Sequence, residues 1–175
     1  HWMRLNADLR AGHGSMIHED NAVTEIAKAV ANIGGHQWPM RRTKSVDELL
    51  EKCAEILNQN LDLNNEDDVT EFVKRLGPVS RLIGATLRNT ANPTRLDAGY
   101  KENVIPQTAS AVIDGRFLPG FEDEFDQTIR NLIGNNVSIE TINRDIALEN
   151  SFEGALIQNM IQSIASEDPD GVAVP

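Results

Sequence analysis

One stretch, Asn103 to Gly120, limits what this chain can fold into more than any other. It opens as a polar loop closed by Pro106, continues as a strand near 109–117 and stops at Pro119-Gly120, where a helical pattern begins. Within the strand, Ala111, Ile113, Gly115 and Phe117 alternate with Ser110, Val112, Asp114 and Arg116. One face is therefore made for a core, and the other carries an aspartate and an arginine. The remaining elements read as what surrounds that strand.

Before it, Met3, Leu5, Ala7 and Leu9 alternate with Arg4, Asn6, Asp8 and Arg10, a strand with one buried face that runs into the loop Ala11-Gly12-His13-Gly14-Ser15. Val23, Ile26, Ala27, Val30 and Ile33 then make one helical stripe, closed by Gly34-Gly35. Ser45 with Glu48 has the spacing of a capping box ahead of a helix carrying Leu49, Leu50, Cys53, Ile56 and Leu57. Val69, Phe72, Val73 and Leu76 mark another helix, ended by Gly77-Pro78. This helical pair, at about 40–85, reads as an insertion. Thr86 to Gly99 reads as extended but broken into two pieces at Asn92-Pro93. After the organising strand come a helix with Phe125, Ile129, Leu132 and Ile133, and a strand with Val137, Ile139 and Thr141. A last helix, capped by Ser151, carries Phe152, Leu156, Ile157, Met160, Ile161 and Ile164.

Without the insertion, residues 2–143 read β-α-β-β-α-β, the order of a ferredoxin-like α+β sandwich: a four-stranded antiparallel sheet with helices on one face. Such a fold fixes no function.

Composition narrows the classes. The formal net charge of −11 argues against a surface built to neutralise a nucleic-acid backbone. No apolar run is long enough to span a bilayer, so no membrane partner is expected. His1-Trp2-Met3-Arg4 leads straight into a strand pattern rather than a secretory leader, and the single Cys53 has no internal disulfide partner; a cytoplasmic location fits. The chain opens without an initiating Met and ends on Val172-Ala173-Val174-Pro175, which reads as a strand entering something further, so an excised portion of a longer protein is expected.

Three polar side chains are candidates for chemistry. His13, between glycines directly after a strand, is either an ordinary loop histidine or a donor to a substrate carbonyl or developing oxyanion. Asn103 either caps the Tyr100-Lys101-Glu102 turn or binds a substrate carbonyl or carboxylate. Arg116 either pairs with Asp114, two residues back on the same face, or grips a carboxylate with its planar fork. His18-Glu19-Asp20 is rejected as a metal site because adjacent residues rarely converge on one ion, and His1 and His36 lack ligands at metal spacing. No Ser/His/Asp, Cys/His or phosphate-loop pattern occurs.

Taken together and in this order, Gly12-His13-Gly14-Ser15-Met16, Ala22-Val23, Asn103-Val104-Ile105-Pro106 and Asp114-Gly115-Arg116-Phe117-Leu118-Pro119-Gly120 resemble the lid, or dimerisation, domain of the zinc peptidases that include acetylornithine deacetylase, succinyl-diaminopimelate desuccinylase, aminoacylase and the glutamate carboxypeptidases. The resemblance covers nearly the whole chain apart from the helical insertion. It implies a lid at 1–150 and a segment at 151–175 that re-enters a catalytic domain not contained here. It also implies a parent hydrolase with two zinc ions, none of them bound by this chain, which alone would be inactive. A homodimer is implied, through the helix at 21–33 or a neighbouring strand. His13 would reach the partner subunit's site and polarise the scissile carbonyl, Asn103 would bind substrate in the same shared site, and Arg116 would hold the substrate's carboxylate. The substrate class would be N-acyl amino acids or peptides, cut at an amide bond. The competing readings are a stand-alone ferredoxin-like module whose His13, Asn103 and Arg116 form one pocket for a small carboxylated ligand, and a purely structural dimerisation module.

Overall fold

The structure, a computed structural model, describes all residues from His1 to Pro175. In chain order its elements are β1 (Trp2–Asp8), β2 (Gly12–His13), α1 (Ala22–Gly35), α2 (Lys44–Ile56), α3 (Glu66–Arg75), α4 (Ser80–Ala85), β3 (Thr90–Ala98), β4 (Val104–Ile105), β5 (Thr108–Arg116), α5 (Glu122–Ile133), β6 (Ser138–Asn143) and α6 (Ala155–Glu167). They form two compact units, the first of residues 1–39 and 89–147, the second of residues 40–88 and 148–175.

The first unit is a four-stranded sheet in the order β3-β5-β1-β6 with every neighbouring pair antiparallel. Counting only these strands and the helices α1 and α5, that is the ferredoxin-like arrangement. Period-two alternation explains it: Met3, Leu5 and Ala7 of β1 and Ala109, Ala111 and Ile113 of β5 are all buried on one face. Onto that face pack Ile26, Ala29 and Ile33 from α1 and Phe125, Ile129 and Ile133 from α5, a single core that also takes in Trp38. The Trp38 ring stacks on Phe125, centroids 5.1 Å apart. Asn21 starts α1 by accepting backbone N–H bonds from Val23 and Thr24. The small residues of β5 make room for the helices; a Cβ on Gly115 would stand 2.4 Å from Phe125 Cζ. The opposite face is polar and open, with Arg4 of β1 bonded to Glu140 of β6 at 3.0 Å.

Several expectations about segments are corrected. The stretch 86–99 is not two extended pieces: Thr86 follows α4, and β3 is one strand whose register slips between Pro93 and Arg95. Proline cannot donate to the ladder, so a bulge on an edge strand accommodates it without ending the strand. Gly12–His13 is not plain loop but a two-residue strand paired with β4, Gly12 opposite Ile105 and His13 opposite Val104. Ser45 does not cap α2; Thr43 holds that position, while Ser45 donates its backbone N–H to Glu149 at 2.9 Å and its hydroxyl to the Asn150 carbonyl at 3.0 Å.

The second unit has its own core of Met40, Leu50, Ala54, Val69, Phe72, Val73, Ile83 and Leu87, drawn from α2, α3, α4 and the segments flanking them. The helical insertion is thus three helices, the second started by Asn65, which accepts from Asp67 and Asp68 N–H, and not the pair read from the pattern. In α6 no residue is buried, and Leu156, Met160 and Ile164 are exposed along it; its cap position is Gly154, not Ser151.

Candidate functional site

The short β2–β4 ribbon grows from one end of the sheet. β1 ends at Asp8, opposite Thr108 at the start of β5. Just beyond, the Leu9 N–H donates to the Gln107 carbonyl at 2.9 Å and the Gln107 amide donates to Asp8 at 2.9 Å. The chain then pairs Gly12–His13 with Val104–Ile105, and the Gly14 N–H donates to the Asn103 carbonyl at 2.9 Å. Two segments about ninety residues apart in sequence are locked side by side, and His13 and Asn103 come to the same place.

Their geometry is specific. The Ser15 backbone N–H points at His13 Nδ1 at 3.3 Å, and the Ser15 hydroxyl lies 2.8 Å from the same nitrogen. An N–H directed at Nδ1 makes that nitrogen the acceptor, so in the neutral ring the proton sits on Nε2. Nε2 stands 3.5 Å from the Asn103 amide nitrogen, the outer limit of hydrogen bonding. With its proton on Nε2 the ring cannot accept from the Asn103 amide, so two N–H donors, one on β2 and one just ahead of β4, lie side by side, and a carbonyl oxygen within reach of both would accept from both. Both side chains are exposed.

Gly12 has a further reason for being glycine. The His18 ring lies over its backbone, and a Cβ there would fall 1.9 Å from His18 Cε1. His18 packs against the ribbon rather than gathering acids with Glu19 and Asp20. Nowhere does a group of three or more His, Cys, Asp or Glu side chains stand where it could hold a metal ion.

A cleft of about 730 Å³ opens beside the ribbon on the sheet; its lining includes Asp8, Ala11, Asp97, Tyr100, Gln107 and Ser110. Nothing in the hydropathy pattern marks Tyr100 or Asp97 as its wall: Asp97 reaches it from the edge strand β3, opposite Ser110, and Tyr100 from the β3–β4 connection.

Arg116 is elsewhere. It ends β5, opposite Thr90, eight residues along the strand from Thr108. At about 3.3 Å per residue that is roughly 25 Å of strand between it and the base of the His13 ribbon. Its guanidinium is held edge-on by Asp114, Nε to Oδ1 at 2.7 Å and Nη2 to Oδ2 at 2.9 Å. The Trp2 indole donates to the same carboxylate at 3.1 Å. These bonds, that of Arg116 foremost, hold the Asp114 carboxyl below the usual aspartate range against the opposing effect of burial. The sheet therefore brings His13 and Asn103 together and keeps Arg116 at its other end, so one chain cannot gather all three in a single small pocket.

Asn89 escaped the sequence reading altogether. It is 1% exposed, accepts the Leu118 N–H at 2.8 Å, and so fixes the turn that follows Arg116. An asparagine just ahead of a strand gives no signal of burial; only the returning loop supplies its partner.

A family model described as a peptidase dimerisation domain matches residues 1–138. A probable carboxypeptidase S-like 2 of Dictyostelium discoideum is 28% identical over 99% of this chain and 34% of its own length. The N-fatty-acyl-amino acid synthase/hydrolase PM20D1 of Bos taurus is 28% identical over 67% of this chain and 24% of its own length. Among solved structures, an M20 family metallo-carboxypeptidase from Sulfolobus solfataricus superposes with a TM-score of 0.57 at 16% identity, covering 94% of this chain and 48% of that one. Human carnosine dipeptidase 1 gives 0.56 at 10% identity, covering 94% and 40%. The chain spans only a quarter to a third of the curated relatives it matches. On the match over residues 1–138, this chain belongs to the dimerisation domains of the M20 peptidase family.

Proposed function

We propose that this chain is the lid and dimerisation domain of a metal-dependent, in this reading zinc-dependent, amidohydrolase or peptidase that cleaves the amide bond of N-acyl amino acids or peptides. The observation that carries the reading is the division of the site: two converging N–H donors, His13 Nε2 and the Asn103 amide, at one end of the sheet, and one guanidinium at the other. A substrate the size of an N-acyl amino acid cannot bridge that length. Two copies can meet its needs, one offering His13 and Asn103 to the scissile carbonyl and the other offering Arg116 to the carboxylate. Residues 1–150 form the lid in this reading, and the stretch from 151 leads into the portion that would hold the metal; this chain's own side chains do not fit one.

The contribution of His13 is electrostatic. As negative charge builds on the carbonyl oxygen, a preorganised donor strengthens its bond at no reorganisation cost. Asn103 would orient the same oxygen, and closing the lid would exclude water around it.

For self-association we assign the open edge of β3 together with α1. That helix flanks β3, and a Cβ placed on Gly34 would lie 3.9 Å from the Pro93 ring. Past the proline, Thr94 to Ala98 are accessible and Leu96 is exposed. The same edge leads through Gly99 toward Asn103, so pairing there would carry the His13 ribbon toward a second copy.

Metal content and hydrolysis of N-acyl amino acids and dipeptides, compared between this chain and the full-length protein, test the reading. An active, metal-bearing full-length protein beside an inert, metal-free chain is expected. Turnover by this chain unaided would overturn it.

A further inference from the structure

Arg116 carries its long side chain at the exposed end of β5, its side chain 67% exposed. Left alone, such a guanidinium samples many rotamers, and a carboxylate binding to it must first immobilise it. It is not left alone. Asp114 lies two residues back on the same face and occupies the edge formed by Nε and Nη2. That leaves the Nη1 hydrogens and the second Nη2 hydrogen, the other bidentate edge of the fork, without a claim from Asp114. Asp114 is itself fixed: it sits opposite Trp2 in the β1–β5 register, and the Trp2 indole donates to its Oδ1.

We propose that Asp114 is a positioning residue for Arg116, holding one edge of the guanidinium so that the other is presented, already oriented, to a substrate carboxylate, with Trp2 bracing the carboxylate that does the holding. This rests on the reading of Arg116 given under Proposed function. A plain surface ion pair would predict something different, a change in stability with no preference among substrates.

The experiment uses the full-length protein with an N-acyl amino acid and its C-terminal amide, which lacks the carboxylate. Arg116→Ala should raise KM for the acid and leave the amide unaffected. Asp114→Ala should raise KM for the acid about tenfold, with kcat nearly unchanged and the amide again unaffected. The double variant should match Arg116→Ala alone, since a residue acting through another adds nothing once that other is gone. Asp114→Asn, which keeps the shape and loses the charge, should fall between. Trp2→Phe keeps Asp114 and removes one of its three bonds, and should cost about two- to threefold. It stands in if Asp114→Ala fails to fold. In this chain alone, the Arg116 Nε–H resonance should be sharp and slow to exchange, and Asp114→Ala should broaden or lose it.

Discrimination by Arg116→Ala with a silent Asp114→Ala, or additive effects in the double variant, overturns the positioning role and spares the reading of Arg116. If Arg116→Ala treats acid and amide alike, Arg116 does not bind the carboxylate, and the positioning role falls with it.

Discussion

His13 presents its two ring nitrogens unequally. Ser15 takes Nδ1, and Nε2 is left toward Asn103 and the open space beside it. In the full-length protein His13→Ala should therefore lower kcat by about a hundredfold or more while KM moves much less, as removal of one oxyanion donor does. Steady-state kinetics check this; a raised KM at unchanged kcat would assign His13 to ground-state binding. At Asp114 the sign of the pH dependence follows from its depressed carboxyl. Its bond to Arg116 contributes fully above the ordinary aspartate range and is lost as pH falls through the lower, folded-state value. The Arg116 Nε–H resonance should stay protected through mildly acidic pH and disappear only below that range. Burial pushes the Cys53 thiol the other way, above its usual value, so it should react with thiol reagents at neutral pH more slowly than a free cysteine. The two pairs, Asp114 with Arg116 and His13 with Asn103, also show what a sequence displays and what it hides. The Asp114–Arg116 pairing is visible because both lie on one strand face. The meeting of His13 with Asn103, about ninety positions apart, depends on a two-residue ribbon too short to leave any periodicity.

Elements with long, regular patterns were the easiest to read. The alternation in β1 and β5 and the stripes of α1 and α5 specify a one-sided sheet under two helices, and the strand order follows from βαββαβ connectivity. What escaped were local exceptions. Pro93 reads as a strand breaker, yet a bulge on the edge carries β3 past it. Ser45 has capping-box spacing, yet its groups bond to Glu149 and Asn150, partners that no local rule identifies. The close fit between β5 and α5 makes a firm prediction. Gly115→Val would drive a side chain into Phe125 and against the His1 carbonyl, where a Cβ alone already falls at 2.4 and 3.1 Å. Overpacking of this kind costs about 1–3 kcal/mol, to be read from denaturant midpoints. Asn89→Ala should cost about 1–3 kcal/mol as well, because the Leu118 N–H would lose its buried acceptor.

At the scale of the whole molecule the two units have separate cores, one around Phe125 and one around Phe72. The first packs under a sheet that carries two donors at one end and a cation at the other. In the proposed function one active site draws on both ends, and so on two copies. The direct test is to mix the full-length His13→Ala and Arg116→Ala proteins under conditions that let subunits exchange, and to assay an N-acyl amino acid well below its KM, where each variant alone is nearly inactive. In a two-fold dimer the mixed species has one site with both defects and one with neither. Random pairing in equal amounts should then restore about one-quarter of wild-type activity. A mixture no more active than its components would contradict the account, because it would mean that each site takes His13 and Arg116 from the same chain.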